Sequence, residues 1–297
     1  MLAFSSLLGN VEGQNIYRIW YDKPASYWEE ALPVGNGRIA AMVFGDPQLE
    51  QIQLNEETVS AGSPYQNYNE EAKTALPEMR RLIFEGKYEE AQNMAATKIL
   101  SQVGNEMPYQ TVGRLNIRYQ DHKKVNNYYR DLDISNAVAV TRYEVDGVEF
   151  TEETFASFTD QLVIRHIKAS KPGTINCELF FNTPMRDPKR SIYGKKGLRL
   201  EGITHGSRYF QGKVHYCADL DVKHKGGKVI TANDTLLSVQ GASELTLYIS
   251  MATNFVNYKD ISGDPYQRNK AYLKNAAKDY SNCLLYTSPS PRDRSLS

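Results

Sequence analysis

The chain has 297 residues, 41% hydrophobic and 24% charged, enough for one large or two ordinary domains with a real core. Lys plus Arg is 35 and Asp plus Glu is 35, so the formal net charge is zero and no polybasic surface for nucleic acid is implied. No apolar run is long enough to span a bilayer as a helix.

In chain order, Leu2, Ala3, Phe4, Leu7 and Leu8 form a short apolar run followed by small and polar residues. It resembles the end of a secretory signal peptide without its basic start, so residues 1–15 are expected to be a signal remnant of a periplasmic or secreted protein. Gly35-x-Gly37-x-x-Ala40 then matches the spacing of a dinucleotide-binding turn. That chemistry needs a strand before the first glycine and a helix after the third position. Upstream, Pro24 and Pro33 interrupt any strand-like run, and downstream "RIAAMVFG" stops at Gly45-Asp46-Pro47, too short for a crossover helix. A tight turn through Gly35, Asn36 and Gly37 is the better reading, and no cofactor is expected.

"RIAAMVFG" and "EQIQLNE" read as strands. A two-helix insert follows over about 70–100: Ala72, Ala75, Leu76, Met79, Leu82 and Ile83 recur at helical spacing, with Pro77 in a first turn or at a kink. Tyr88, Ala91, Ala95 and Ile99 mark a second helix after Gly86. From 137 to 157 two alternating runs flank Asp146-Gly147, the strongest short hairpin signal. Seven more strands follow, from "QLVIRHIKAS" to "ELTLYISMATN", separated by Gly, Asn and Asp turns. The fold class is therefore mainly β: a large antiparallel β-sandwich (supersandwich) with a two-helix insert and a C-terminal linker helix. That last helix opens with Asp264 as N-cap and Pro265 at its first position. The sandwich is expected over 16–260 and the start of a helical linker over 261–282; 283–297, without periodicity, reads as a foreign, adapter-derived tail containing Cys283.

Candidate chemistry is sparse. Cys177, Cys217 and Cys283 form no Cys-x-x-Cys pair, and no His spacing completes a zinc site. A Cys177–Cys217 disulfide and two buried thiols are both open, the second being favoured. His215 and Cys217 alternate with Val214, Tyr216, Ala218 and Leu220, which places them on a polar sheet face. Glu56 and Glu57 are adjacent on a strand and point to opposite faces, so they make no facing acid/base pair, and a solvated strand end is expected there. No nucleophile, base and oxyanion site assemble, so no catalytic, cofactor or metal residue is assigned.

The blocks "WYDKPASYWEEALPVGNGRIAAMVFGDPQLEQIQLNEET", "PYQNYNEEAKTALPEMRRLIFEGKYEEAQ", "MPYQTVGRL", "YYRDLDISNAVAVTRYEVDGVEFTEETFAS" and "DISGDP" occur in order from Trp20 onward. Together they resemble the N-terminal domain of glycoside hydrolase family 95, chiefly α-L-fucosidases. The resemblance implies an inverting enzyme that hydrolyses terminal α-L-fucosides of fucosylated glycans. It also implies that the catalytic acid and the water-activating groups sit in an (α/α)6 barrel after the linker, so none is carried over to this chain. Such proteins read an apolar residue and Trp after the Asn-Glu-x-Thr block, where this chain has Val59 and Ser60. Asn36, Arg38, Asn55, Glu56 and Thr58 are candidates for a substrate-proximal or domain-interface surface, with ordinary turn capping as the competing reading. The alternative function is a free-standing carbohydrate-binding or adhesive sandwich, supported by Trp20 and Trp28 alone.

Overall fold

The computed structural model describes residues 17–64, 67–101, 107–206 and 211–275. The expected signal remnant, the foreign tail and Cys283 lie outside the described residues. The strands are β1 (Arg18–Tyr21), β2 (Leu32–Gly35), β3 (Ile39–Val43), β4 (Leu49–Glu56), β5 (Gly113–Tyr119), β6 (Val125–Asp133), β7 (Val138–Val145) and β8 (Val148–Ser157). They continue as β9 (Leu162–Ala169), β10 (Ile175–Asn182), β11 (Arg186–Tyr193), β12 (Gly197–Ile203), β13 (His215–Lys225), β14 (Lys228–Asn233), β15 (Leu236–Ala242) and β16 (Glu244–Thr253). The α-helices are α1 (Ala72–Phe84), α2 (Tyr88–Met94) and α3 (Pro265–Asn275); a 3-10 turn spans Trp28–Glu30, and a π-helical turn, Ala95–Ile99, continues α2.

Two antiparallel sheets result. One has nine strands in the order β1-β6-β7-β8-β9-β16-β13-β12-β11, the other seven in the order β14-β15-β10-β5-β4-β3-β2. Their inner faces interdigitate: Ile52, Leu115, Leu179, Val163, Leu247 and Leu220 are all fully buried in one core. Burial of each such side chain contributes roughly 1.5–3 kcal/mol, which makes this layer the main source of stability. The β7–β8 hairpin turns through Asp146 at φ 49° and Gly147 at φ 71°, the doubly left-handed turn its Asp-Gly pair favours.

The nine-stranded sheet is also covered on its outer face. Val138, Val140, Phe155, Leu162, Ile164 and Tyr248 form a second cluster beneath Tyr272 and Leu273 of α3. For that reason β16 is buried along nearly its whole length instead of alternating. Asp264 caps α3 through its Oδ1, which accepts from the Tyr266 and Gln267 amides at 2.9 and 3.1 Å.

Three features depart from the sequence reading. Pro33 lies inside β2, where no strand was expected; β2 is the last strand of its sheet, and an edge position tolerates a missing N–H. The charged β11, with Pro188, is an edge strand of the other sheet and lacks the apolar alternation that marks central strands. Pro77 lies inside α1 beyond its first turn, and the α1–α2 hairpin buries only Ala75, Leu82 and Ala91, leaving Ile83 and Tyr88 exposed.

Candidate functional site

The glycine-rich turn that opened the functional question joins β2 to β3 as an antiparallel pair, with Gly37 at φ 95°. No helix follows it, so the dinucleotide geometry is absent. Asn36 Oδ1 accepts from the amides of Arg38 (3.0 Å) and Ile39 (2.9 Å), closing the turn. Its Nδ2 reaches across to the Ser157 carbonyl at 2.8 Å, at the end of β8 in the opposite sheet.

Arg38 extends that link. Nε donates to Gln161 Oε1 at 2.6 Å, Nη1 to the Met251 carbonyl at 2.8 Å and Nη2 to the Gln161 carbonyl at 3.2 Å. Nη1 also lies 3.3 Å from Glu56 Oε1, and the guanidinium sits 4.7 Å above the Tyr272 ring of α3. Glu56 is 4% exposed, which overturns the solvated strand end expected for it. The strand alternation places Glu50, Ile52, Leu54 and Glu56 all on the buried face of β4. Glu56 Oε2 accepts from the Thr58 amide at 2.7 Å and its hydroxyl at 2.6 Å, and Thr58 Oγ1 meets Thr253 Oγ1 at the end of β16. Burial pushes the Glu56 carboxyl above the usual carboxylate range, against the pull of Thr58 and Arg38.

Four of the five candidate residues thus form one hydrogen-bonded latch tying the two sheets and α3 together at one end of the sandwich. Asn55 sits on the opposite face of β4 and lines a shallow cleft of about 340 Å³ with Gly37, Arg38, Glu57 and Tyr109. A larger cleft of about 690 Å³, mostly apolar, lies beside it and is lined by Thr58, Ser60, Met107, Val214, Phe255 and Tyr258. Ser60, where the resembled family carries tryptophan, therefore opens onto this cleft.

The strongest ionic cluster is one the sequence reading did not single out. Arg165 Nη2 lies 2.8 Å from Glu50 Oε2 and also contacts Glu152 Oε2, all three side chains being buried in the core. Tyr119 and Tyr143 each donate to Glu152 Oε1 at 2.6 Å, while the Phe44 and Gly45 amides hold Glu50 Oε1. A signal existed: Glu50, Glu152 and Arg165 occupy in-phase positions of otherwise inward-facing strands. Two carboxylates do meet here, but no substrate reaches them, so the cluster is structural.

His215 and Cys217 also part company. His215 is exposed, whereas Cys217 is buried where α3 crosses β13, with Asn269 Nδ2 donating to the Cys217 carbonyl at 2.9 Å. The face expected to be polar is covered at Cys217 by α3, and the favoured buried thiol is what the structure shows. Cys177 and Cys217 are both free and buried, on different sheets, and burial pushes both thiols up. Among the described residues no group of three or more His, Cys, Asp or Glu is arranged to hold a metal ion.

Among the described residues, the polar groups of the latch tie the two sheets and α3 together, and the paired carboxylates Glu50 and Glu152 are sealed in the core. The chain belongs to the glycosyl hydrolase family 65, N-terminal domain, whose sequence profile matches residues 19–258. It is 32% identical over 271 residues to Alpha-L-fucosidase 2 of Arabidopsis thaliana, covering 82% of this chain and 31% of that protein. It is 26% identical over 284 residues to Probable alpha-fucosidase A of Aspergillus niger, covering 88% and 34%. The corresponding protein of Aspergillus oryzae is 25% identical over 274 residues, covering 88% and 36%. The chain spans about a third of the length of these curated relatives. The expected likeness to the N-terminal part of a fucosidase-like glycoside hydrolase is met, and the comparisons lend no support to a free-standing carbohydrate-binding or adhesive sandwich.

Proposed function

We propose that this chain is the N-terminal domain of an exported α-L-fucosidase of the glycoside hydrolase family 95 type, acting on fucosylated glycans once joined to its catalytic barrel. The observation that carries the reading is the 32% identity to a fucosidase of which this chain covers only 31%. The latch supports it, because Arg38 fixes α3, the element that leads out of the sandwich, to both sheets. In this reading the domain buttresses the barrel, and Asn55 and Thr58, which line the two clefts, are the residues nearest barrel or substrate. Asn36, Arg38 and Glu56 hold those clefts in shape.

The test compares the purified chain with the complete parent protein on a chromogenic α-L-fucoside. The chain alone is expected to show no turnover, since among the described residues no acid and water-activating pair flanks either cleft; the parent is expected to turn over. Hydrolysis by the chain, or an inactive but folded parent, overturns the assignment.

A further inference from the structure

The outer face of the seven-stranded sheet carries a polar cleft apart from the latch. On β4, β5 and β10, Ile52, Leu54, Leu115 and Phe181 point into the core, so Gln53, Arg114 and Asn182 point away from it. The register sets these three side by side: Gln53 pairs with Arg114, and Arg114 with Asn182. They line a cleft of about 320 Å³ walled by Thr111, Thr183 and Pro184. Gln53 and Arg114 are half-buried and Asn182 is exposed, so all three are open to a ligand. The wall hydroxyls are spent on backbone. Thr111 Oγ1 donates to the Leu54 carbonyl at 3.0 Å and accepts from the Gly113 amide at 3.2 Å. Thr183 Oγ1 donates to the Val112 carbonyl at 2.9 Å and accepts from the Met185 amide at 3.1 Å. The row of three is not spent. Arg114 Nη1 donates to Gln51 Oε1 at 2.9 Å, and the guanidinium lies 5.8 Å from the centre of the Phe44 ring. Among the described residues Arg114 makes no ion pair, and the side-chain amides of Gln53 and Asn182 make no hydrogen bond; the ion pair on this face, Arg118 with Glu178 at 3.1 Å, lies two rows away.

The charge and the donor set specify a ligand. A guanidinium without a counter-ion, steadied by Gln51 and Phe44, favours an anion, and its planar fork matches a carboxylate in two bonds. One positive charge between two neutral amides suits a monoanion and leaves a phosphate dianion unmatched. The amides add a second requirement. Guanidinium groups only donate, whereas each amide both donates and accepts, as sugar hydroxyls do. Adjacent strands lie about 4.8 Å apart, so the row spans about 10 Å, the scale of one substituted sugar ring. A carboxylate and several hydroxyls on one ring describe a uronic acid. We propose that the outer face of β4, β5 and β10 binds a uronic acid residue of an acidic glycan, with its carboxylate on Arg114 and its hydroxyls on Gln53 and Asn182. It goes beyond the fucosidase reading, because the cleft holds an acidic sugar at a place apart from the latch, whatever the parent protein cleaves.

The full chain is titrated by calorimetry with methyl glucuronide, methyl galacturonide and trigalacturonate. Methyl glucoside and methyl galactoside are the neutral counterparts, and hexaglutamate and inorganic phosphate are the anions without a sugar ring. Saturable binding of at least one uronide is expected, with its neutral counterpart about tenfold weaker or more, the scale of one charge-assisted pair. For the uronide that binds, Arg114→Gln should cost about tenfold or more, and Gln53→Ala and Asn182→Ala about threefold each, the scale of one neutral hydrogen bond. Melting temperatures check the fold of each variant. Asn182 is exposed, so Asn182→Ala keeps the test decisive if Arg114→Gln proves unstable. No saturable binding of any uronide, or binding that Arg114→Gln and Asn182→Ala both leave intact, overturns the proposal. Hexaglutamate or phosphate bound as tightly as the uronide also overturns it, because the cleft would then read charge alone. Turnover of a small chromogenic fucoside by the parent should be unchanged by Arg114→Gln, which separates failure of this proposal from failure of the fucosidase assignment.

Discussion

Arg38→Ala removes the centre of the latch, and its cost follows from the contacts. Three hydrogen bonds to neutral acceptors on Gln161 and Met251 are lost, each contributing about 1 kcal/mol net. The ion pair with Glu56, whose side chain is 5% exposed, adds about 1 kcal/mol, and the guanidinium over Tyr272 adds roughly 0.5–1 kcal/mol. The Arg38 side chain is itself 19% exposed, so water re-enters and restores part of the hydrogen bonding. We expect a net loss of about 3 kcal/mol, within the usual range for breaking a partly buried network. For a domain of this size that lowers Tm by roughly 6–12 °C. Urea denaturation and scanning calorimetry read the stability, and hydrogen exchange reads α3. The amides of α3 should lose protection more than those of the β4–β5 pair, because Tyr272 loses its cap. Arg38→Lys should recover less than half of the loss, since an ammonium cannot reproduce the fork that reaches Gln161 and Met251 together. A change below about 1 kcal/mol, or unaltered α3 exchange, would refute the latch.

The core cluster predicts a larger effect: Arg165→Met strands Glu50 and Glu152 in the interior and should cost about 3–5 kcal/mol, with Arg165→Met/Glu50→Gln/Glu152→Gln recovering much of it. An Arg165→Met variant as stable as the parent chain by urea denaturation would show the carboxylates to be solvated. Burial pulls the His122 imidazole below its usual value despite the Pro47 carbonyl that faces it. The folded state then binds fewer protons than the unfolded chain between that lowered value and about 6.5, so this contribution to stability rises with pH through the window. His122→Phe should flatten the pH dependence of Tm there, and an unchanged slope would discard the attribution. For Glu56 the sign reverses: its folded pKa is raised, so its stabilising contribution, complete below the ordinary carboxylate value, is lost as pH rises through the raised one. Glu56→Gln should therefore destabilise more at pH 4 than at pH 8 in urea melts.

Periodicity made the layers legible and left the polar interior obscure. Alternation in "EQIQLNE" and the Asp146-Gly147 turn act within a few residues, so β4 and the β7–β8 hairpin could be read directly. Edge strands carry weaker signals because one side of their backbone needs no partner, and so Pro33 and the charged β11 hid theirs. Glu56 looked solvated because two adjacent acids at a strand end are usually hydrated; only the pairing of β3 with β4 brings Arg38 alongside to hold it in the interior. Cys217 was legible as a buried thiol, but its alternation with Val214, Tyr216 and Ala218 pointed to a polar sheet face, because alternation carries no information about a helix from later in the chain lying across it. Asn36 illustrates the remainder: turn capping and a cross-sheet bond are both correct, but only the first is local.

The distribution of polar contacts along α3 explains what the latch is for. Arg268 Nη1 donates to the Thr253 and Phe255 carbonyls at 2.9 and 2.7 Å, fixing the first turn to the end of β16. Arg199, paired in two bonds with Asp219, lies between the Tyr193 and Tyr266 rings. Asn269 then bonds the β13 backbone, and Tyr272 sits beneath Arg38 one turn later. Apolar burial alone is non-directional and would let the helix slide or rotate over the cluster of Val138, Val140 and Tyr248. Four directional contacts spread over about two turns, through Tyr266, Arg268, Asn269 and Tyr272, remove that freedom and fix the position and heading of α3 on the sandwich. Asn36, Arg38, Glu56 and Thr58, candidates for a substrate-proximal or domain-interface surface in the sequence, thus hold the two sheets and α3 in register with one another.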